Sequence, residues 1–194
     1  MRLPDGAHIS QPWAIHALAP DFDLLDVWAL PTPGEADDFA ALIATFAGAT
    51  LSGARSGAAE LLFAIRVKLG SLLGWDGEPG PPGQAAPSLR GRLPPELRDA
   101  PSGPTVRGIP CRPIYLRERE WAAEIVNRTG HGVVHLGWVR DVDGGYRGQL
   151  AVLVKPNGAF GRAYLAAIKP FRHLIVYPAL LNGLGRAWRA RVPA

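Results

Sequence analysis

The sequence predicts an α+β protein in which a curved antiparallel sheet wraps around a long C-terminal helix. Three segments of alternating apolar residues, 121–129, 131–141 and 146–156, follow one another along the chain. Such alternation is typical of strands, and the Asp-Gly pair within 142–145 is typical of a hairpin turn. The apolar segment 158–188 then has helical spacing. This order predicts a sheet wrapped around a helix, an architecture that usually encloses a cavity.

The last segment should not form one straight helix. Pro170 and Pro178 each lack an amide donor and predict a kink or the start of a new helix. Gly158 and Gly161 predict a sharp entry from strand to helix. Neither face of the predicted strands is cleanly polar, as it would be in a sheet with solvent on one side. We therefore expect a curved sheet with a semi-polar interior.

The N-terminal part predicts less regular structure. Segment 8–18 suggests a short first strand, whereas 35–47 and 58–75 carry apolar residues at helical spacing. Farther along, 113–116 predicts a short strand. The charged run 117–120 then predicts an exposed turn.

Length and composition fit one domain over 1–194. Segment 76–109 is rich in Pro and Gly, which excludes long regular structure and predicts a surface loop or a lid over a cavity. The single cysteine, Cys111, excludes an internal disulfide and a multi-cysteine metal site. We expect it to be a small, semi-buried residue rather than a nucleophile.

The formal net charge of +4 does not predict a nucleic-acid partner, because no basic run is interleaved with aromatic residues. The most apolar long segment, 159–185, contains charged residues and prolines, so a membrane span is not expected. The N-terminus has no signal-peptide pattern. We expect a cytoplasmic protein with no membrane partner. The oligomeric state stays open, with a homodimer among the alternatives.

The segment LVKPNGAFGRAYLAAIKPFRHLIVYPAL resembles the closing motif of a bacterial family of domains of unknown function. The matching residues are Pro156, Gly158, Gly161, Arg162, Tyr164, Pro170, Phe171, Leu174 and Ile175. VWALPTPG and FAIRVKLGSLLGW are also similar to its stand-alone branch. Other members follow an NmrA-like short-chain dehydrogenase domain. The family is similar to the START-like (SRPBCC) superfamily. That superfamily includes lipid carriers and polyketide cyclases. The resemblance implies a helix-grip (START-like) fold with a hydrophobic pocket but no fixed catalytic motif.

Titratable residues on adjacent predicted strands form the first candidate site: Glu124, Arg128, His131 and His135. The two histidines point the same way but lie roughly 13 Å apart by strand rise, which is too far for one metal ion. Acid/base roles suit Glu124, His131 and His135, with Arg128 as a ligand contact. The alternative is that each histidine is a satisfied core residue.

A second candidate set lies on the C-terminal helix, where Lys169, His173 and Tyr177 follow at i, i+4 and i+8. Facing the sheet, they would line the cavity with His173 as an acid/base group; facing solvent, they would be an ordinary exposed face. Tyr115 and Trp138 complete the predicted ligand contacts. No motif for a metal, nucleotide or redox cofactor occurs, so none is expected.

Two functions follow from these expectations. The first is an enzyme for a small hydrophobic, polyketide-like or aromatic metabolite, which it would cyclise, dehydrate or isomerise by proton transfer without a cofactor. The second is a non-catalytic carrier or sensor that needs only apolar walls and a few orienting groups. A third, weaker alternative is an interaction module that docks through the predicted helix 58–75.

Overall fold

The computed structural model describes residues 1–48, 87–106, 110–127 and 129–191. Five strands form one open antiparallel sheet in the order β1-β5-β4-β3-β2. The strands are β1 (Asp23–Gly34), β2 (Arg112–Leu116), β3 (Glu120–Asn127), β4 (Gly130–Arg140) and β5 (Tyr146–Pro156). The predictions of β2 to β5 are confirmed. So is the hairpin turn between β4 and β5, where Gly144 adopts φ 87°.

The helices are short except near the C-terminus. They are α1 (Gly6–Ile9), α2 (Ala14–Leu18), α3 (Phe39–Gly48), a 3-10 turn (Leu89–Arg92), α4 (Pro95–Arg98), α5 (Gly158–Ala167), α6 (Lys169–Phe171), a π-helical turn (Arg172–Val176) and α7 (Tyr177–Ala190). The predicted breaks are confirmed, because Pro170 and Pro178 each lie in the first turn of a new helix. The predicted strand over 8–18 is wrong. Ile15 and Leu18 are both buried at helical spacing, so this segment forms helices instead.

β1 is a strand that contains two prolines, Pro31 and Pro33. Proline cannot donate to a ladder of backbone hydrogen bonds, so it is tolerated on edge strands and at bulges. Both conditions hold, since β1 is an edge strand and its register shifts between Ala29 and Pro33. Residues 1–3 cover part of its outer edge, where Leu3 N donates to Val27 O at 2.9 Å.

The two faces of the sheet are both covered, which explains why neither is polar. On one side, called here the helix face, α3 and α7 pack on the sheet around Trp28, Leu136 and Trp138. On the other side, called the N-terminal face, residues of α2 and the segment 89–97 pack on Ala122, Val133 and Ala151. Leu89, Leu93 and Leu97 are buried there, so this part of the predicted loop belongs to the core.

Three predictions fall wholly or partly on residues that the structure does not describe. The predicted helix 58–75, residues 76–86 and 107–109 of the predicted loop, and Arg128 lie outside the described residues. The predicted helix 35–47 lies within them and begins later than expected, at Phe39. In the ranges that the structure describes, no helix has the length and apolar character needed to cross a membrane.

Candidate functional site

Asp26 on β1 has a fully buried carboxylate, which lies on the helix face. It accepts hydrogen bonds from Arg172 Nη2 at 2.9 Å, His173 Nε2 at 2.6 Å and Tyr177 Oη at 2.9 Å. Arg2 Nη2 lies 4.0 Å from the same carboxylate. A buried charge is tolerated when it is paired and hydrogen-bonded, and these partners meet both conditions. We call Asp26, Arg172, His173 and Tyr177 the Asp26 centre.

An irregular stretch of the C-terminal helix supplies the three donors. Pro170 lies in the first turn of one short helix and Pro178 in the first turn of the next, and the π-helical turn Arg172–Val176 lies between them. Proline interrupts the helical ladder of hydrogen bonds, and π-helical turns often occur at functional sites. This irregular backbone brings the adjacent residues Arg172 and His173 to the same carboxylate.

The chemistry of the Asp26 centre differs between its two aromatic donors. Two causes raise the pKa of Tyr177: burial is the larger, and the negative charge of Asp26 is the next. The phenol therefore stays a protonated donor. His173 donates through Nε2 in the tautomer that carries hydrogen there, which leaves a lone pair on Nδ1. The His173 side chain is 20% exposed, whereas its carboxylate partner is fully buried. Asp26 therefore orients an imidazole that is partly accessible from outside the centre.

A cleft of about 200 Å³ lies beside the Asp26 centre, between the sheet and the C-terminal helices. Aliphatic side chains form most of its wall: Leu25, Ile125, Val152, Leu153, Val154, Leu165 and Ile168. Gly130, Gly132 and a few polar residues, Asn127, Thr129, Tyr164 and Arg172, complete it. Arg172 joins the two features, because it lines the cleft and also binds Asp26.

The N-terminal face holds a second polar cluster, a series of hydrogen-bonded histidines that ends on a buried glutamate. His135 Nε2 lies 3.2 Å from Glu120 Oε2, and His135 Nδ1 lies 3.2 Å from His8 Nε2. His8 Nδ1 lies 3.1 Å from His16 Nε2. Tyr115 Oη donates to the same glutamate at 2.9 Å. We call His16, His8 and His135 the histidine chain.

The glutamate sets one direction for the hydrogen bonds of the histidine chain. Glu120 can only accept when ionised, so His135 donates from Nε2 and accepts at Nδ1. His8 then donates from Nε2 and accepts from His16. Burial, and then the charges of His135 and His16, lower the pKa of His8 to about 3. Neutral imidazoles at each position complete the series, and protonation of His8 would remove its acceptor.

The buried glutamates are held ionised by their partners. Burial alone would raise the pKa of Glu120, but the hydrogen bonds from His135 and from the amide of Ala14 lower it overall. Glu124 follows the same pattern, since the hydrogen bond from His131 and those from Ser88 and Leu89 outweigh its burial. His131 Nε2 lies 2.9 Å from Glu124 Oε2.

The structure brings the predicted residues together as two separate groups. His131, His135 and Glu124 share the N-terminal face, as their alternation predicted, and all three are buried. His173 and Tyr177 lie on the helix face beside the cleft. None of these five residues lines the cleft, to which the Asp26 centre contributes Arg172.

The other predicted ligand contacts have different surroundings. Lys169 is exposed. Trp138 is buried and donates from Nε1 to Glu35 O at 2.9 Å. Tyr115 is buried beside Glu120. Each of these assignments stays a prediction.

Sequence reasoning missed four polar residues that the structure makes central: Asp26, Glu120, His8 and His16. Glu120 was expected in an exposed turn, yet it begins β3 and is buried. The interpretation of 117–120 was therefore wrong at its last residue. The Glu120 carboxylate is buried and accepts hydrogen bonds from Tyr115 Oη and Arg117 Nη1. The one available signal was charge within apolar segments, as in Leu-Leu-Asp-Val around Asp26.

These features define an α+β protein with an open antiparallel sheet, a C-terminal helix on one face and an apolar cleft between them. Residues 18–179 match the family described as "Protein of unknown function (DUF2867)", and the chain belongs to that family. No curated protein and no solved structure matches the chain.

Proposed function

We propose that this chain binds a small apolar or aromatic molecule in the cleft between the sheet and the C-terminal helices. The aliphatic wall of this cleft is the observation that supports the proposal. An apolar cavity of roughly 150 Å³ accommodates benzene. A cleft of about 200 Å³ therefore suits a molecule with one aromatic ring and a few further atoms, such as a single-ring polyketide-like metabolite.

Arg172 gives the ligand an orientation. Binding sites combine apolar walls with few polar groups, and Arg172 is the cationic group of this cleft. Its hydrogen bond to the buried Asp26 fixes the guanidinium in place. A ligand would place its apolar ring against Ile125 and Ile168 and its oxygen acceptor toward Arg172.

The helix-grip architecture and the kinship with the START-like superfamily belong to the same proposal. Their support is the antiparallel sheet, the C-terminal helix on one face and the cleft between them. A single domain and a cytoplasmic location are proposed with them.

The test is the binding of indole, which is measured by ligand-observed NMR. The wild-type chain should bind it saturably with a Kd below about 1 mM, as expected for a ligand of this size. Ile168→Trp fills the cleft and should abolish binding. Ala167→Trp is the matched control, because it adds a larger side chain at the neighbouring, exposed position. Absence of saturable binding, or equal binding by the Ile168→Trp protein, would contradict the proposal.

Acid/base catalysis is the second candidate function, and the 2.6 Å contact between His173 and Asp26 favours it. A buried carboxylate orients the imidazole, and the free ring nitrogen can take a proton from an activated carbon. Cyclisation, dehydration and isomerisation all begin with such a transfer. His173 is the base in this proposal, and Arg172 would stabilise charge on the substrate oxygen.

Exchange of carbon-bound protons with solvent distinguishes the catalytic function from the carrier function. Phenylacetone in D₂O should lose its benzylic protons faster with the wild-type chain than with buffer, as followed by NMR. His173→Gln should abolish the acceleration but retain indole binding. Binding of indole without any acceleration by the wild-type chain would favour the non-catalytic carrier or sensor.

A further inference from the structure

The guanidinium of Arg172 has a hydrogen-bond donor that the folded chain leaves unused. Arg172 lines the cleft, and its side chain is 13% exposed. Nη2 donates to Asp26, whereas Nε is buried and has no hydrogen-bond partner among the described residues. A buried donor without an acceptor costs free energy, and the cost is larger on a charged group. A ligand oxygen that reaches this guanidinium would supply the missing acceptor.

The charges around the cleft are positive in sum. Among the described residues that line it, Arg172 is the only one whose side chain is charged at neutral pH. The C-terminal helices form one wall, and they carry no Asp or Glu because Asp143 is the last acidic residue of the sequence. Asp26 does not cancel the positive charge, since Arg2 lies 4.0 Å from the same carboxylate and two guanidiniums share one negative charge. An anionic group is therefore favoured at Arg172 over a neutral or a cationic group.

We propose that the ligand of this cleft is an aromatic carboxylate with a single ring, which places its carboxylate on Arg172; the assignment rests on the proposed binding of a small aromatic molecule there. Hydrogen bonds between a guanidinium and a carboxylate are charge-assisted and roughly twice as strong as neutral ones. The ring would pack on the aliphatic wall, as the size of the cleft, about 200 Å³, allows.

The number of charges favours a carboxylate over a phosphate. A phosphate monoester carries about 1.5–2 negative charges at pH 7 and three strong acceptor oxygens. The cleft presents one guanidinium, part of which is already bound to Asp26. One remaining cationic group matches one negative charge, and the rest of the wall is mostly aliphatic and suits a ring.

Three ligands of one shape and different charge test the assignment on the wild-type chain. At pH 7 phenylacetate is an anion, phenylacetamide is neutral and phenylacetamidine is a cation, and each joins the same ring to a planar end group. Ligand-observed NMR gives the three Kd values, and displacement of indole shows that the site is shared. Phenylacetate should bind about tenfold more tightly than phenylacetamide, and phenylacetamidine about tenfold more weakly. The amide also has a carbonyl acceptor, so the first ratio measures the effect of charge.

Three variants locate the preference at Arg172. Arg172→Gln should remove the preference for phenylacetate over phenylacetamide. Arg162→Gln is the matched control: it removes an exposed cation of the same helical region that does not line the cleft, and it should change the ratio by less than about twofold. Ile168→Trp, which fills the cleft, should abolish the binding of all three ligands. The ligand series itself uses only the wild-type chain, so it tests the assignment whether or not Arg172→Gln folds.

The outcomes separate the carboxylate assignment from the proposed function. Binding of indole, without tighter binding of phenylacetate than of phenylacetamide, would overturn the assignment and leave the proposed function standing. Retention of phenylacetate binding by Ile168→Trp would also overturn it, because the anion would then bind outside the cleft. An equal loss of preference in Arg162→Gln and Arg172→Gln would assign the effect to the overall charge of the surface instead. Absence of binding by indole and by all three ligands would overturn both proposals.

Discussion

Acidification should destabilise this protein through the histidine chain before its carboxylates titrate. The pKa of His8 is about 3 in the folded chain against 6.5 for a free histidine. A lowered histidine pKa means that the unfolded chain binds more protons between these two values, so stability falls as pH falls. From pH 7 to pH 5 the loss from His8 alone is about 2 kcal/mol, and by pH 3 it reaches about 4 kcal/mol.

The window from pH 7 to pH 5 isolates the histidines. Burial also lowers the pKa values of His16 and His135, and they add to the loss with the same sign. The lowered pKa of Glu120 has its effect at lower pH, because its unfolded value is 4.5. Domains of this size are stable by about 5–15 kcal/mol, so the loss is a large part of the total.

The assay is urea unfolding at pH 7, 6 and 5, followed by tryptophan fluorescence. His8→Gln should be less stable at pH 7 but should lose about 2 kcal/mol less than the wild type between pH 7 and pH 5. Tyr115→Phe is the control. It removes the hydrogen bond to Glu120 and should cost about 1 kcal/mol at every pH without changing the pH dependence. Equal pH dependence in the wild type and His8→Gln would refute the reasoning.

Two further predictions concern the helix face and are measured by the same urea unfolding. Gly161→Ala should destabilise by more than about 2 kcal/mol, because its Cβ would overlap the carbonyl oxygen of Thr129. Gly183→Ala has open space and should stabilise by about 0.5–1 kcal/mol; a common sign for both variants would refute the packing argument. Asp26→Asn should cost about 3–5 kcal/mol, because it leaves the Arg172 guanidinium without its buried carboxylate. Asp38→Asn breaks the partly exposed ion pair with Arg191 and should cost less than about 1 kcal/mol. Equal costs for Asp26→Asn and Asp38→Asn would show that the burial of Asp26 does not increase the stabilisation.

Local patterns predicted the sheet well where the strands are consecutive. β3, β4 and β5 alternate along their length and are joined by short connections, so neighbours in sequence are neighbours in space. The same alternation placed Glu124, His131 and His135 on one face of the sheet, and the register Glu124 to Val133 confirms it.

β1 was not predicted because its two prolines argue against a strand when the sequence is considered alone. Pro31 and Pro33 are acceptable only because β1 lies at an edge, and the position of a strand within a sheet is a tertiary property. The same limit applied to the segment 8–18, whose helices bury their apolar residues against distant strands.

Both polar clusters depend on contacts between residues far apart in sequence. His8 meets His135 across 127 positions, and Asp26 meets His173 across 147. No periodicity or spacing relates such residues. Hydrophobic patterns fix which face a residue occupies, but the packing of the N-terminal segment and the C-terminal helix decides which polar groups meet.

The edge of β1 has a consequence for association through backbone hydrogen bonds. Met1 O accepts from Ala29 N at 2.8 Å, and Leu3 N donates to Val27 O at 2.9 Å, so part of this edge is already paired. Pro31 and Pro33 have no amide hydrogen to offer farther along the strand. An incoming strand would therefore find no continuous row of donors, and the sheet should not extend into a neighbouring molecule at this edge. The two prolines that obscure β1 in the sequence thus disfavour edge-to-edge pairing of folded molecules at β1.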